Sequence, residues 1–130
     1  MVKITPSGWQ SLLVDTPSLG DSYGFTLVND TLWTAVNVPD RYGISKFSTS
    51  GLQLAHYPLP GGLASSAPPG FDAAGNMYVA GNSGAIYKIA LPSNVTTTVV
   101  SDGSWTTISG AAAPAIGFAV DPSNGYMCAE

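Results

Sequence analysis

The sequence repeats two short motifs three times at a nearly constant interval. One motif starts with Gly-Phe, runs through a polar turn and ends in an apolar segment: GFTLVNDTLWTA (24–35), GFDAAGNMYVA (70–80) and GFAVDPSNGYMCA (117–129). The other motif starts with a lysine, at Lys3, Lys46 and Lys88. Successive copies lie 42 to 47 residues apart. A period in the forties with several strands per period is typical of β-sheet proteins that repeat around an axis.

Each repeat predicts four short strands, named A to D in chain order. Strand A carries the Gly-Phe pair, where glycine allows close backbone approach, and a turn rich in Asp, Asn and Gly follows it. Strand B is rich in aromatic, β-branched and small residues, and strand D alternates in polarity. The predicted strands are A at 23–28, 69–73 and 116–121; B at 31–36, 76–81 and 125–130; C at 2–4, 43–47 and 85–89; and D at 9–14, 52–58 and 95–100.

The order of these strands predicts an all-β chain built from β-propeller blades. Residues 1–130 form a single unit with complete four-stranded blades at 19–62 and 63–108 and a third blade split between 1–18 and 109–130. Strand 126–129 can pair with strand 2–4, within one chain or between subunits, as propellers do to close their ring. Because propellers have about four to eight blades, we expect a homo-oligomer, either a ring such as a six-bladed dimer or a filament. The alternative is a fragment of a longer propeller.

Charged residues are scarce, which narrows the choice of partners. They make up 9% of the chain, against about 25% in an average soluble protein. With four basic residues and a net charge of −4, the chain lacks the clustered Lys and Arg that bind phosphates, so we expect no nucleic-acid partner. Apolar runs of strand length predict no membrane insertion. A surface of small polar residues favours an extracellular or particle-associated location.

Residue types used in catalysis are also scarce. His56 is the only histidine and Glu130 the only glutamate. A Ser-His-Asp relay would need His56, in strand D, and a surface-facing strand residue packed beside Tyr57 is the simpler interpretation. No carboxylates are spaced for acid–base catalysis, and no His or Cys cluster offers a metal site. We therefore predict no catalytic residue, no metal ligand and no cofactor, and we favour a chain without enzyme activity.

A binding site is predicted in the loops at one face of the blades. Asp40, Arg41 and Tyr42 bring a carboxylate, a guanidinium and an aromatic ring together, and such a trio can hold a sugar or a partner chain. The alternative is an ion pair between Asp40 and Arg41 with Tyr42 covering the blade. Trp105 and Asn82 lie in neighbouring loops and belong to the same predicted site.

Two tryptophans and three lysines are assigned to the blades themselves. Trp9 and Trp33 fall in strand segments and are predicted to pack. Lys3, Lys46 and Lys88 recur at one repeat position, where we expect each ammonium in solvent and each stem along the sheet.

Two segments resemble a known superfamily. GLQLAHYPLP (51–60) and AAGNMYVAGNSGAIYKI (73–89) are similar to the repeats of the gluconolactonase, NHL-repeat and streptogramin lyase propellers. The resemblance covers nearly the whole chain and implies blades rather than a particular chemistry. Lactonase-like members hold a divalent cation on the axis with Glu, Asn and Asp, and lyase-like members use His and Glu. Calcium is therefore implied only if the chain is part of such an enzyme.

These observations favour one function and leave a second open. We expect a non-enzymatic propeller module that associates with itself to complete a ring or polymer and binds protein or glycan through its loops. The alternative is a fragment of a metal-dependent lactonase-like hydrolase or lyase. A closed or stacked oligomer would support the first, whereas a divalent cation held by acidic ligands on the axis would support the second.

Overall fold

The computed structural model describes residues 1–14, 19–20, 24–59, 65, 67–81, 85–91, 93, 95–100, 118–124 and 126–129. Within these ranges the regular secondary structure consists of strands, and there is no helix. The strands are β1 (Val2–Ile4), β2 (Gln10–Leu12), β3 (Thr26–Val28), β4 (Thr31–Val36), β5 (Gly43–Ser48), β6 (Gln53–Pro58), β7 (Gly70–Phe71), β8 (Met77–Ala80), β9 (Ile86–Ala90), β10 (Val95–Val100), β11 (Phe118–Val120) and β12 (Met127–Ala129). Each overlaps a predicted strand, and the all-β class is confirmed.

The strands form two four-stranded antiparallel sheets and two separate hairpins. Sheet I contains β3 to β6 and sheet II contains β7 to β10, and in both the strands lie side by side in chain order. β1 pairs with β2 in the N-terminal hairpin, and β11 pairs with β12 in the C-terminal hairpin. The predicted four-stranded sheets of strands A to D are therefore confirmed, while their closure into a propeller stays a prediction.

The two hairpins do not join within one chain. Among the described strands, β1 neighbours β2 alone and β12 neighbours β11 alone. Each hairpin packs on a different four-stranded sheet, the N-terminal hairpin on sheet I and the C-terminal hairpin on sheet II. The expected pairing of 126–129 with 2–4 is thus not made inside the chain, and a pairing between two copies stays a prediction.

Three hydrophobic clusters hold these units together. Between sheets I and II lie Trp33, Ala35, Ile44, Leu59, Met77, Val79 and Ile89. Between the N-terminal hairpin and sheet I lie Val14, Leu19, Leu32, Val36 and Phe47. Between sheet II and the C-terminal hairpin lie Ala67, Tyr78, Ala80, Ile86, Val120 and Met127. The units are therefore stacked face to face in chain order.

Strand β4 explains how one sheet serves two clusters. Its side chains alternate between faces, so that Trp33 and Ala35 face sheet II while Leu32 and Val36 face the N-terminal hairpin. Both faces are buried, in keeping with the four apolar residues among the six of TLWTAV. Trp33 stacks on Tyr57 with ring centres 5.6 Å apart. The prediction that Trp33 is a packing residue is confirmed.

The turn of the N-terminal hairpin has the same geometry as the turn between β5 and β6. In the first turn the Gly8 N–H donates to the Thr5 carbonyl, and in the second the Gly51 N–H donates to the Ser48 carbonyl. Both glycines have positive φ, 83° and 88°, which glycine adopts without a steric penalty. In each turn the first hydroxyl also bonds to a serine hydroxyl two residues later. The two hairpins therefore share the structure of their turns, while β5–β6 has a bulge beyond the turn and β1–β2 has none.

The turn of the C-terminal hairpin resembles the turn between β7 and β8. The Asp72 N–H donates to the Asn76 carbonyl at 3.1 Å, and the Asp121 N–H donates to the Tyr126 carbonyl at 2.8 Å. Both aspartates accept further hydrogen bonds from their own turns, and the second turn is one residue longer. The corresponding turn of sheet I, residues 29–30, is a two-residue turn with φ of 47° and 55°, as in type I′ hairpins.

Candidate functional site

The predicted binding trio of Asp40, Arg41 and Tyr42 lies in the turn between β4 and β5. The Arg41 N–H donates to the Val38 carbonyl at 3.0 Å, and Asp40 has a φ of 65°. With Pro39 as its second residue, the turn has type II geometry, whose third residue takes positive φ. Asp40 and Arg41 are exposed and Tyr42 is half-buried. The three consecutive residues thus share this turn, and their role in binding stays a prediction.

Arg41 begins a chain of polar contacts along the outer strands of sheet I. Its Nη2 donates to Gln53 Oε1 at 2.6 Å, and Gln53 Nε2 donates to Ser45 Oγ at 3.3 Å. Ser45 Oγ lies 2.9 Å from His56 Nδ1. Burial lowers the pKa of His56, and the positive charge of Arg41 lowers it further, because both disfavour the imidazolium. His56 is therefore held in its neutral form at neutral pH.

Ser45 and His56 are not arranged for catalysis. Ser45 is fully buried, whereas a nucleophilic serine must reach its substrate. A Cβ added at Gly43 would collide with the Tyr57 backbone and lie 2.9 Å from the His56 ring, so Gly43 packs tightly against β6 beside this ring. The contact between Ser45 and His56 instead links β5 to β6, where the two residues are cross-strand partners.

Asp72 and its turn form a second polar cluster. The Asp72 carboxylate accepts hydrogen bonds from the Asn76 N–H at 2.9 Å, from Asn76 Nδ2 at 2.8 Å and from the Tyr78 hydroxyl at 3.1 Å. Desolvation is the largest influence on the pKa of Asp72 and raises it, but the hydrogen bonds from Asn76, Tyr78 and the Ala74 backbone together hold the pKa below its usual value. The carboxylate is thus engaged in fixing the turn.

A pocket of about 390 Å³ lies where the three Gly-Phe strands meet. Thr26 Oγ1 donates to the Pro69 carbonyl at 2.6 Å, which ties β3 to the start of β7. A Cβ added at Gly70 would meet the Val120 side chain, so β7 also lies against β11. The pocket is lined by Thr26, Val28, Pro69, Gly70, Phe71, Asp72, Ala119, Val120 and Pro122. No group of three His, Cys, Asp or Glu residues that could hold a metal ion occurs in the described ranges.

A second pocket, of about 330 Å³, lies between the N-terminal hairpin and β3. Val2, Ile4, Phe25 and Leu27 line it, and all four are exposed; we call these four residues the β1–β3 surface. β1 borders this surface and has a strand on one side only, among the strands that the structure describes. The sequence marked these residues as strand residues, and it carried no signal that they would lack a neighbour.

The aromatic and lysine residues differ from their predicted roles in two ways. Trp9 is 65% exposed at the end of the N-terminal hairpin, so the prediction that it packs is wrong, since none of the described sheets covers that turn. Lys46 Nζ lies 5.0 Å from the Trp33 ring centre and Lys88 Nζ lies 5.7 Å from the Tyr78 ring centre. These ammonium groups thus make cation–π contacts rather than lying in solvent alone.

The remaining predicted binding residues, Asn82 and Trp105, lie outside the described residues. The part of the chain that the structure describes contains no helix that is long and apolar enough to cross a membrane. Comparison of the sequence with protein-family models and with curated proteins gives no match. The resemblance to the gluconolactonase, NHL-repeat and streptogramin lyase propellers therefore stays a prediction from the repeats.

Proposed function

We propose that the chain is a non-enzymatic module of the β-propeller type that assembles with copies of itself. The β1–β3 surface is the observation that carries this proposal. Its four large apolar side chains are exposed beside β1, which has an unpaired edge among the strands that the structure describes. Exposed apolar patches and open strand edges are both sites at which proteins associate. Association would cover this surface and complete the edge in a single step.

Two features of the packing support the propeller type. The hairpins and sheets are stacked face to face in chain order, as successive blades are around an axis. Strands β3, β7 and β11 converge on one pocket, as expected of innermost strands, and Gly70 permits the close approach of β7 to Val120 on β11. Each sheet would then be one blade, and each hairpin half a blade.

The half-blades give assembly a physical reason. A two-stranded hairpin is marginally stable on its own, and three or more strands with a buried face are needed for independent stability. Within the described residues, the N-terminal hairpin packs on sheet I alone and the C-terminal hairpin on sheet II alone. A partner that adds two strands to each hairpin would bury the remaining edge, and copies of the same chain can supply those strands at both ends.

The loop trio supports a recognition role for the assembled module. The bond from Arg41 to Gln53 orients the guanidinium, and the exposed Asp40 and the half-buried Tyr42 flank Arg41 in the same loop. A fixed guanidinium and an aromatic face suit a glycan or a protein chain at an extracellular or particle surface. The variant Asp40→Ala/Arg41→Ala should lose such a partner in glycan and protein-binding screens, and Asp30→Asn, which alters another exposed turn, should keep it.

Self-association is tested by measuring the molar mass of the chain by light scattering over a range of concentrations. Leu27→Asp is compared with Leu52→Asp, because the two leucines are similarly exposed, 59% and 66%, and only Leu27 belongs to the β1–β3 surface. The wild-type chain and Leu52→Asp should form dimers or larger species. Leu27→Asp should remain monomeric, because association would bury its carboxylate unpaired. A monomeric wild-type chain, or full assembly of Leu27→Asp, would contradict the proposal.

A further inference from the structure

The two hairpins are complementary halves of one four-stranded sheet. The turn of the N-terminal hairpin has the same pattern of hydrogen bonds as the turn of β5–β6, the second half of sheet I. The C-terminal hairpin has an aspartate-capped turn like that of β7–β8, the first half of sheet II. Placed in the order β11–β12–β1–β2, the hairpins would reproduce the strand order of the complete sheets.

Each complete sheet contains an aromatic–lysine pair between its second and third strands, and this pair defines the register of the two strands. In sheet I, Trp33 on the second strand is opposite Lys46 on the third. In sheet II, Tyr78 is opposite Lys88 in the same way. Both lysines lie over the ring that they face. The relation between second and third strands is therefore the same in both sheets.

The hairpins carry the positions that correspond to this pair. Lys3 lies two residues before Thr5, which opens its turn, as the lysine of sheet I lies two residues before Ser48. Cys128 lies two residues after Tyr126, which closes its turn, as the tyrosine of sheet II lies two residues after Asn76. The turn fixes the register within each hairpin, so Cys128 is equivalent to Tyr78 and Lys3 is equivalent to Lys46. If the two hairpins join as the halves of a complete sheet do, Cys128 and Lys3 are cross-strand partners.

We propose that β12 of one copy pairs antiparallel with β1 of a second copy, with Cys128 opposite Lys3, Met127 opposite Ile4 and Ala129 opposite Val2. The four-stranded sheet β11–β12–β1–β2 is then shared between two chains. This inference rests on the proposed self-association and adds to it the two strands that join and their register.

Packing supports a second copy as the occupant of the β1 edge. Met127 already belongs to the cluster between the C-terminal hairpin and sheet II. In the proposed register Ile4 of the next copy lies beside Met127 and extends that cluster, as Ile89 lies beside Met77 within sheet II. In the second copy, Leu27 would then face β11 and β12 of the first copy, as Phe71 on β7 faces sheet I.

The register is tested by disulfide cross-linking to Cys128, the single native cysteine. Lys3→Cys is compared with Ser11→Cys. Ser11 is the cross-strand partner of Lys3 on β2, so in the proposed sheet it lies one strand further from Cys128. A disulfide needs Cα atoms about 4.4–6.8 Å apart, which adjacent strands provide and strands two apart do not, since strands lie about 4.8 Å from one another. Each variant is oxidised mildly and analysed by non-reducing electrophoresis, with Lys3→Cys/Cys128→Ser as the control for links between two introduced cysteines.

Lys3→Cys should give about ten-fold more reducible, covalently linked chains than Ser11→Cys, and the Cys128→Ser control should abolish them. A dimer band or a ladder would each support the register, the first as a closed pair and the second as a filament. If the Lys3→Cys chain assembles by light scattering but does not cross-link through Cys128, the register is wrong and self-association stands. If the chain is monomeric at every concentration, both proposals fail.

Discussion

Ile4 and Phe47 hold the same position in two hairpins with the same turn, yet their surroundings differ. Ile4 precedes the turn residue Thr5, as Phe47 precedes Ser48. Ile4 is 64% exposed and Phe47 is 5% exposed. Phe47 pairs with β4 on one side and packs against the N-terminal hairpin, whereas Ile4 has only β2 beside it among the described strands. Local sequence therefore builds the hairpin, and the neighbouring strands decide its burial.

The innermost strands show the same contrast. Leu27 and Phe71 lie on the first strands of their sheets and are cross-strand partners of Leu32 and Met77, respectively. Phe71 is half-buried, with its ring 5.0 Å from the Trp33 ring, edge to face. Leu27 is exposed. The difference is the sheet in front: sheet I covers Phe71, and no described strand covers Leu27 in this way.

The largest effect should separate Phe47 from Ile4. Phe47→Ala removes a buried aromatic ring and should lower the free energy of unfolding by about 3–5 kcal/mol. Ile4→Ala should change it by no more than about 0.5 kcal/mol in the dilute chain, because exposed positions contribute little. Urea denaturation at low and high protein concentration measures both.

The concentration dependence sharpens this comparison. If Ile4 becomes buried in the assembly, Ile4→Ala should cost more at concentrations where the wild-type chain associates, since association adds to apparent stability by mass action. If Ile4→Ala lowered the free energy of unfolding of the dilute chain as much as Phe47→Ala does, the N-terminal hairpin would already be covered within one molecule. That result would break the comparison on which the assembly proposal depends.

The strands themselves could be predicted from the sequence because their signals are local. A Gly-Phe pair, a polar turn and an apolar run recur with each repeat, and glycines at positions 8 and 51 mark the turns that require positive φ. These signals depend on backbone geometry and on alternation, which act within a few residues. Strand positions and the two four-stranded sheets followed from them.

The surroundings of those strands could not be predicted in the same way. Exposure at Trp9 and Leu27 depends on whether another sheet is present, and no local pattern records that. The turn from Asp121 to Tyr126 also contains one residue more than its counterpart in sheet II, so matching the strand B segments by eye misplaces the third by one position. The polar contact between Arg41 and Gln53 joins residues that only the pairing of β5 with β6 brings together.

A smaller effect should separate two glycines of the Gly-Phe motif. A Cβ at Gly70 would collide with the Val120 side chain on β11, whereas a Cβ at Gly24 would make ordinary contact with Pro68, 3.5 Å away. Gly70→Ala should therefore cost about 1–3 kcal/mol by overpacking, and Gly24→Ala should be close to neutral. Thermal and urea unfolding of the two variants test this. Similar losses at both sites would mean that β3 is as crowded as β7, and that its neighbouring strand is already in place.

The smallest effect should be a dependence on pH that belongs to His56. Its pKa is lowered in the folded chain by burial and by Arg41, so the unfolded chain takes up a proton near the usual value of about 6.5 while the folded chain resists it. The free energy of unfolding should fall as pH drops from 7 through this range, and His56→Gln should remove that slope.

Asp72 and Asp121 affect the free energy of unfolding in a separate, more acidic pH range. Their lowered pKa values contribute stability above about pH 4 that is lost on further acidification, and His56→Gln should leave this second loss unchanged. A slope between pH 7 and 5 that persists in His56→Gln would show that another group, such as one at the chain ends, titrates on folding or assembly.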